Sequence, residues 1–288
     1  MKNLIYQYWD GEIPEGALAG SANMKAYAER IGAEYLFEDN PRFCTAFCFP
    51  LNEFFGAYKP VYDDKFLEYD NVLYVDTDIF AVSGLEENIF DDLTADVGIC
   101  TEPFQPTYRQ RRDVNWINSE NDEKWVKAVN RIVDGEFPRT DAGLLKVYNA
   151  GMVLWSNRGL RMAREKFLSY ATYVTYMFGT GLPTFYAHDQ NWLHANLVTQ
   201  ADYCEMSNDW NTIVHFYRDG KDNNLLNDPR TDSTKFVHIM LTGESRFDAL
   251  ALWRITNLPS SVWRYKKPPY WKEPPVYSDR EKNGQSTS

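Results

Sequence analysis

Hydrophobic and polar positions along the chain change period several times, and the changes mark out elements. Residues 3–8 form a short apolar and aromatic run closed by a turn at Asp10-Gly11, the pattern of a first strand. Over residues 21–30, Ala22, Met24, Ala26, Tyr27 and Ala28 crowd one side of a predicted helix, with Ile31 just beyond. Residues 33–37 read as a second strand, and strand, helix, strand within such a short span opens a parallel α/β sheet. Residues 50–59 predict a helix. Asn71-Val72-Leu73-Tyr74-Val75 is the unbroken apolar run of a strand covered on both faces. It stops at Asp76-Thr77-Asp78, and the apolar residues 79–82 follow. Residues 97–100 and 147–155 predict neighbouring strands, 160–177 one helix, and 233–241 a late strand carrying His238. Residues 104–140 are polar, with Arg109, Arg111 and Arg112 close together, and read as an excursion over the sheet.

Composition narrows the classes. With 288 residues, 44% hydrophobic and 25% charged, the chain is long enough for one large α/β domain or two small ones. Lys and Arg number 30 against 41 Asp and Glu, and a net charge of −11 repels phosphate backbones, so no nucleic-acid partner is expected. Aromatic residues make up 16% of the chain, which argues against disorder and leaves room for a site that stacks on ring faces. The four cysteines, Cys44, Cys48, Cys100 and Cys204, suit free thiols in a reducing compartment rather than a disulfide scaffold or a zinc site. No leader-like or bilayer-length apolar stretch is present, and a cytoplasmic protein is expected. Only the end departs from the rest. Residues 262–272 hold four basic and four aromatic side chains and no acid, so their +4 leaves −15 on the remainder. Such a segment either packs back on the domain or touches a membrane surface or acidic glycan carrier.

Four places could carry chemistry. Asp76 and Asp78 sit where open α/β sheets bind ligands, at the carboxyl end of a buried strand. Continued extended backbone would put both carboxylates on one side, with Thr77 opposite. A bare pair of this kind is usually solvated. Here apolar runs on both sides require a partner for the charges, and Mg²⁺ or Mn²⁺ holding a diphosphate would supply it. Asn149, in Tyr148-Asn149-Ala150-Gly151, must satisfy its amide inside an apolar strand, and the small pair after it either marks a strand bend or lets a ligand approach. Asp189 and Gln190 stand at a predicted helix start, as a cap or beside sugar or anionic groups. His238, alone among apolar residues, is a core histidine or a third metal ligand.

Taken in order, these segments resemble GT-A glycosyltransferases, and most of all glycosyltransferase family 8, over roughly residues 3–248. Residues 69–78 are similar to that family's strand and D-x-D signature, 148–151 to its Asn-containing strand, Asp189-Gln190-Asn191 to its D-Q-D segment, Trp210-Asn211 to its W-N pair, and His238 with Gly243 to its metal and phosphate loop. The opening Tyr6-Gln7-Tyr8-Trp9 also resembles capsid-glycan transferases of large algal viruses, more weakly. Two departures stand out. Gly243 lies five residues after His238 rather than three and is followed by Glu244-Ser245-Arg246, so the phosphate-contacting lysine is missing and Arg246 is its candidate substitute. Asn191 replaces the second Asp of D-Q-D.

The resemblance implies a Rossmann-like α/β domain over residues 1–257, with a mostly parallel central sheet and helices on both faces. Its nucleotide-sugar half would be about 1–100 and its acceptor half 101–257, with 258–288 a Pro-rich tail. It also implies a UDP-sugar donor, a glycan, glycoprotein or glycolipid acceptor, and Mn²⁺ or Mg²⁺ held by Asp76, Asp78 and His238. Tyr8, Thr77, Asn149, Gly243 and Arg246 would contact the donor. Asp189 would serve as base if the reaction inverts the anomeric centre, and Gln190 would face that carbon if it retains. Two other classes compete. A nucleotide- or carbohydrate-binding protein would not need a metal–diphosphate site, and a sugar nucleotidyltransferase would carry a basic Gly-rich loop, whereas residues 9–21 contain no Lys or Arg.

Overall fold

The structure, a computed structural model, describes residues 1–43, 52–110, 117–218 and 224–240. It opens as predicted, with β1 (Asn3–Trp9), α1 (Glu15–Ile31) and β2 (Glu34–Asp39), although the helix begins well before residue 21. A 3₁₀ stretch, Asn52–Tyr58, runs into α2 (Lys59–Tyr62) where a single helix was expected. Then come β3 (Asn71–Val75), β4 (Ile79–Ala81), β5 (Val97–Thr101), α3 (Gln105–Gln110), α4 (Ser119–Val129) and β6 (Tyr148–Ser156). The described chain continues through α5 (Asn157–Lys166), α6 (Tyr170–Phe178), α7 (Asp189–Gln200), β7 (Tyr203–Glu205), β8 (Thr212–Arg218), β9 (Asn224–Asn227) and β10 (Phe236–Met240).

The central sheet has six strands in the order β2-β1-β3-β6-β5-β7. Strands β1, β2 and β3 run parallel, β7 runs parallel to β5, and β6 alone is reversed between β3 and β5. This is the mostly parallel α/β sheet expected, and the reversed strand matters for function. Being antiparallel, β6 brings its first residues, not its last, to the carboxyl edge where β3 and β5 end: Val75 pairs with Met152, and Thr101 with Tyr148.

Both faces of the sheet are covered. Leu4, Tyr6, Val72, Tyr74, Val153 and Trp155 look toward a core shared with α2 and α4 to α7. Ile5, Leu73, Val75, Met152 and Leu154 look toward Met24, Tyr27 and Ala28 of α1 and toward Ile79, Ala81 and Phe236. The last three belong to a second, four-stranded sheet in the order β4-β10-β8-β9, which the sequence pattern did not reveal.

Two expectations are corrected by tertiary contacts. The helix predicted over 160–177 is broken at Phe167–Ser169. There the Leu168 N–H donates to Asn196 Oδ1 at 2.7 Å, its carbonyl accepts from Trp192 Nε1 at 2.7 Å, and the Ser169 hydroxyl accepts from Thr172 N to start α6. Side chains of α7 thus claim the backbone groups that a continuous helix would pair internally. The polar stretch 104–140 is not a mere excursion either. It contains α3 and α4, which bury Trp125 and an Arg109–Asp122 ion pair of 2.8 Å. Arg111 and Arg112 lie outside the described residues, as do Cys44, Cys48 and everything after residue 240. Cys100 is buried, its thiol pushed up by burial, and Cys204 is partly buried; both are free. Among the described residues no helix is long and apolar enough to cross a membrane.

Candidate functional site

Strand β3 ends at Val75, and the backbone then turns instead of staying extended, with Ile79 N–H closing onto the Asp76 carbonyl at 3.2 Å. The turn, not strand alternation, brings Asp76 and Asp78 together. Helix α1 allows it. Gly20 faces the turn so closely that a Cβ there would collide with the Thr77 carbonyl, and this explains a glycine within a helix that would otherwise be weakened by it. Thr77 is buried under α1 as a result.

Strand β4 starts at once after Asp78 and pairs with β10, setting His238 opposite Ile79, while Ile239 N–H donates to the Asp78 carbonyl at 2.9 Å. One ligand atom from each of Asp76, Asp78 and His238 then lies within 4.8 Å of the others. Asp78 and His238 are buried, Asp76 partly so, and His238 Nε2 is 3.4 Å from Asp78 Oδ1. Burial holds the imidazole below its ordinary pKa despite the opposing pull of Asp76 and Glu102, so it is neutral and able to act as a ligand.

Two carboxylates and one neutral imidazole form a mixed O and N donor set of the kind that can hold a divalent cation. The surroundings fit too. A Cβ on Gly151 of β6 would stand 2.6 Å from Asp76 Oδ2, 2.9 Å from His238 Cε1 and 3.0 Å from Asn149 Oδ1. The space between these ligands therefore exists only because residue 151 has no side chain.

Around the carboxylates lies a polar and aromatic shell. Gln7 of β1, fully buried, donates from Nε2 to the Asp76 carbonyl at 3.0 Å and accepts from the Tyr35 hydroxyl at 2.8 Å. The Tyr74 hydroxyl donates to Asp76 Oδ1. Tyr8 lies against Tyr6 and Tyr74, with ring centroids about 6 Å away, and covers Gly56, where a Cβ would come within 2.5 Å of its ring.

Helix α7 approaches from the other side, N-terminus first. His188 is its cap residue and Asp189 its first helical residue, so Asp189 is not itself the cap. Gln190 Oε1 accepts from Ala150 N–H of β6 at 3.3 Å, which docks the helix start on the Asn-containing strand. Burial, and after it the negative charge of Asp76, push the Asp189 carboxyl up to about 7, against the pull of nearby helix amides and Tyr58. Tyr8, Tyr58 and Tyr74 are in turn pushed up by burial, with Asp76 and Asp189 adding to it.

The structure thus brings Tyr8, Asp76, Asp78, Asn149, Asp189, Gln190 and His238 to one edge of the sheet. Gly243 and Arg246 lie outside the described residues. Asn149 spends its amide on protein groups: Nδ2 donates to Glu102 Oε1 at 2.8 Å, and Oδ1 accepts from Gly151 N–H and from Asn211 Nδ2. Of the W-N pair, Trp210 is a buried core residue whose Nε1 bonds Asp92. Asn211 is at the site, with Oδ1 3.0 Å from His238 Nδ1. Sequence reasoning missed Gln7, Glu102 and Tyr58. Glu102 had a signal, being an acid directly after a buried strand, the same cue that marked Asp76.

No protein-family profile matches the chain, and no curated protein matches it in sequence. Solved structures do align. A galactosyltransferase LgtC in complex with donor and acceptor sugar analogues is 14% identical, over 90% of this chain and 98% of that one, at a TM-score of 0.48. A glycosyltransferase involved in glycosylation of the major capsid of PBCV-1 is 12% identical over 86% and 97%, at 0.43. Mouse xyloside xylosyltransferase 1, without ligand, is 12% identical over 86% and 99%, at 0.42.

Proposed function

We propose that this chain is a glycosyltransferase of the GT-A kind, moving a sugar from a nucleotide-sugar donor, in our reading a UDP-sugar, to a glycan, glycoprotein or glycolipid. The observation that supports it most is the convergence of Asp76, Asp78 and His238 within 4.8 Å at the carboxyl edge of the sheet, with the N-terminus of α7 facing them. A carbohydrate-binding protein would not need a metal–diphosphate site.

Asp76, Asp78 and His238 would hold Mn²⁺ or Mg²⁺. The bound cation supplies charge stabilisation to a diphosphate leaving group as the glycosidic bond breaks. Tyr8 offers a ring beside the carboxylates for the nucleobase or the pocket wall. Asp189 and Gln190 enter at a helix N-terminus, Asp189 close enough to Asp76 to feel its charge and Gln190 held against Ala150 of β6. Asp189 is the group for accepting a proton from an acceptor hydroxyl in an inverting reaction, since a carboxylate raised toward neutrality is a better base than an ordinary one. In a retaining reaction Gln190 Oε1, which accepts from Ala150 N–H and keeps a second lone pair, would be the atom to stabilise developing positive charge. The basic aromatic segment 262–272 lies outside the described residues; it either packs back on the domain, is a solvated end, or would touch an acidic carrier or membrane surface.

Titration calorimetry with UDP, with and without Mn²⁺, tests the reading, together with a donor-hydrolysis screen across UDP-glucose, UDP-galactose and UDP-xylose. Metal-dependent UDP binding that Asp78→Ala abolishes is the expected result. Equal binding with and without metal, or in Asp78→Ala, rejects it. Formation of UTP and sugar 1-phosphate when pyrophosphate is added, rather than UDP and free sugar from water, points to a nucleotidyltransferase instead.

A further inference from the structure

Behind His238 runs a buried file of polar side chains that apolar packing alone does not require. Glu102, Asn149, Asn211 and His238 are each no more than 3% exposed and belong to four separate segments of the chain. Their hydrogen bonds follow one direction. The Glu102 carboxylate can only accept, so Asn149 must present Nδ2 to it, at 2.8 Å. Asn149 Oδ1 is then fixed toward the Gly151 N–H at 3.1 Å, a backbone donor that cannot be reversed. The same oxygen accepts from Asn211 Nδ2 at 2.9 Å, which leaves Asn211 Oδ1 facing His238 Nδ1 at 3.0 Å. A carbonyl-type oxygen accepts only, so Nδ1 carries the proton and Nε2 is left as a lone pair.

The alternative has a real attraction. His238 Nε2 lies 3.4 Å from Asp78 Oδ1, and an isolated imidazole there would donate Nε2–H to that carboxylate. That tautomer would turn a proton toward the place where the metal reading puts a cation, so two of the three ligands would be occupied with each other.

We propose that Glu102, Asn149 and Asn211 are positioning residues that fix the tautomer of His238, keeping Nε2 unprotonated and aimed at the cation held with Asp76 and Asp78. The proposal rests on the metal reading above for its purpose, but not for its geometry. Outer groups of this kind typically change metal affinity about 10- to 100-fold when removed.

Nitrogen-15 NMR of the metal-free protein with labelled histidine separates Nδ1–H from Nε2–H, and His238→Gln assigns the signal among the four histidines. Wild type is expected to show Nδ1–H at His238. Asn211→Leu should convert it to Nε2–H, and Asn149→Leu should give a mixture, since Asn211 is then free to turn over. Direct Mn²⁺ titration should weaken about tenfold or more in both variants. Nε2–H in wild type, or Nδ1–H unchanged in both variants, overturns the proposal, and the wild-type spectrum decides alone if neither variant folds. If the tautomer responds while wild type binds no Mn²⁺, the positioning role stands and the metal reading falls. If Mn²⁺ binds and the tautomer never responds, the outcome is the reverse.

Discussion

At the scale of single residues, the site depends as much on an absent side chain as on the ones present. Gly151→Ala puts a methyl group 2.6 Å from Asp76 Oδ2 and 2.9 Å from His238 Cε1, with β6 too well paired to yield. Overpacking of this order costs about 1–3 kcal/mol, so the variant should still fold. Its Mn²⁺ affinity and donor hydrolysis should fall at least tenfold, read by metal titration beside a thermal melt; unchanged affinity would show that the ligands do not converge there. Asp189 gives a second residue-scale expectation. Its carboxyl holds a proton in the folded protein up to about 7, whereas the unfolded chain releases it near 3.8. Between those values the folded state binds the extra proton, so stability of the metal-free protein falls as pH rises through this window. The slope should be absent from Asp189→Asn and reduced by Mn²⁺, which offsets the charge of Asp76; denaturant melts from pH 4.5 to 7.5 measure the difference between the two proteins. Asp76, Asp78 and His238 were legible because each interrupts an apolar run and so must have a partner. Gln7 and Asn211 were not given roles, because their partners come from strands and turns whose adjacency the sequence pattern does not contain.

Elements were legible where local periodicity and tertiary packing agree. Strand β3, buried on both faces, and strand β1 fall within a residue of their predicted ends. The single helix over 160–177 failed because the decisive bonds come from Asn196 and Trp192, 28 and 24 residues after Leu168, and no period within the segment encodes them. A polar composition likewise concealed α3 and α4, since Arg109 and Asp122 are charged yet wholly buried against each other, with the Tyr186 hydroxyl also on Asp122 at 2.9 Å. This pair docks the two helices. Arg109→Met should cost about 3–5 kcal/mol, because it strands a buried carboxylate that burial already pushes upward. Arg109→Met with Asp122→Leu should recover much of that loss, since apolar replacement of both partners removes the desolvated charge altogether. Urea melts of the two variants decide it, and equal losses would mean that α3 and α4 are held by Trp125 and its neighbours instead.

For the molecule as a whole, the site is the joint between two sheets. Asp76 and Asp78 leave the central sheet, His238 belongs to the smaller one, and the short turn after β3 carries the chain from the first into β4 of the second. A cation shared by the three would therefore tie β10 to the end of β3, and part of the −11 net charge that opposes polyanions would be committed to it. Linkage gives the size: a ligand at a hundred times its dissociation constant adds about 2.7 kcal/mol to stability. The gain should not be spread evenly. Hydrogen exchange with Mn²⁺ should slow the amides of Ile79 and Ile239, which close the joint through the Asp76 and Asp78 carbonyls, and should leave those of β2 at the far edge unchanged. Asp78→Asn keeps the shape and loses a charged ligand, so it should show neither the stabilisation nor the local slowing. The same protection in Asp78→Asn, or no slowing at Ile79 and Ile239, would place the cation elsewhere. Extra protection at the joint that Asp78→Asn lacks would mean that part of the chain's acid is neutralised by a cation between the sheets, with the remainder left to repel polyanions.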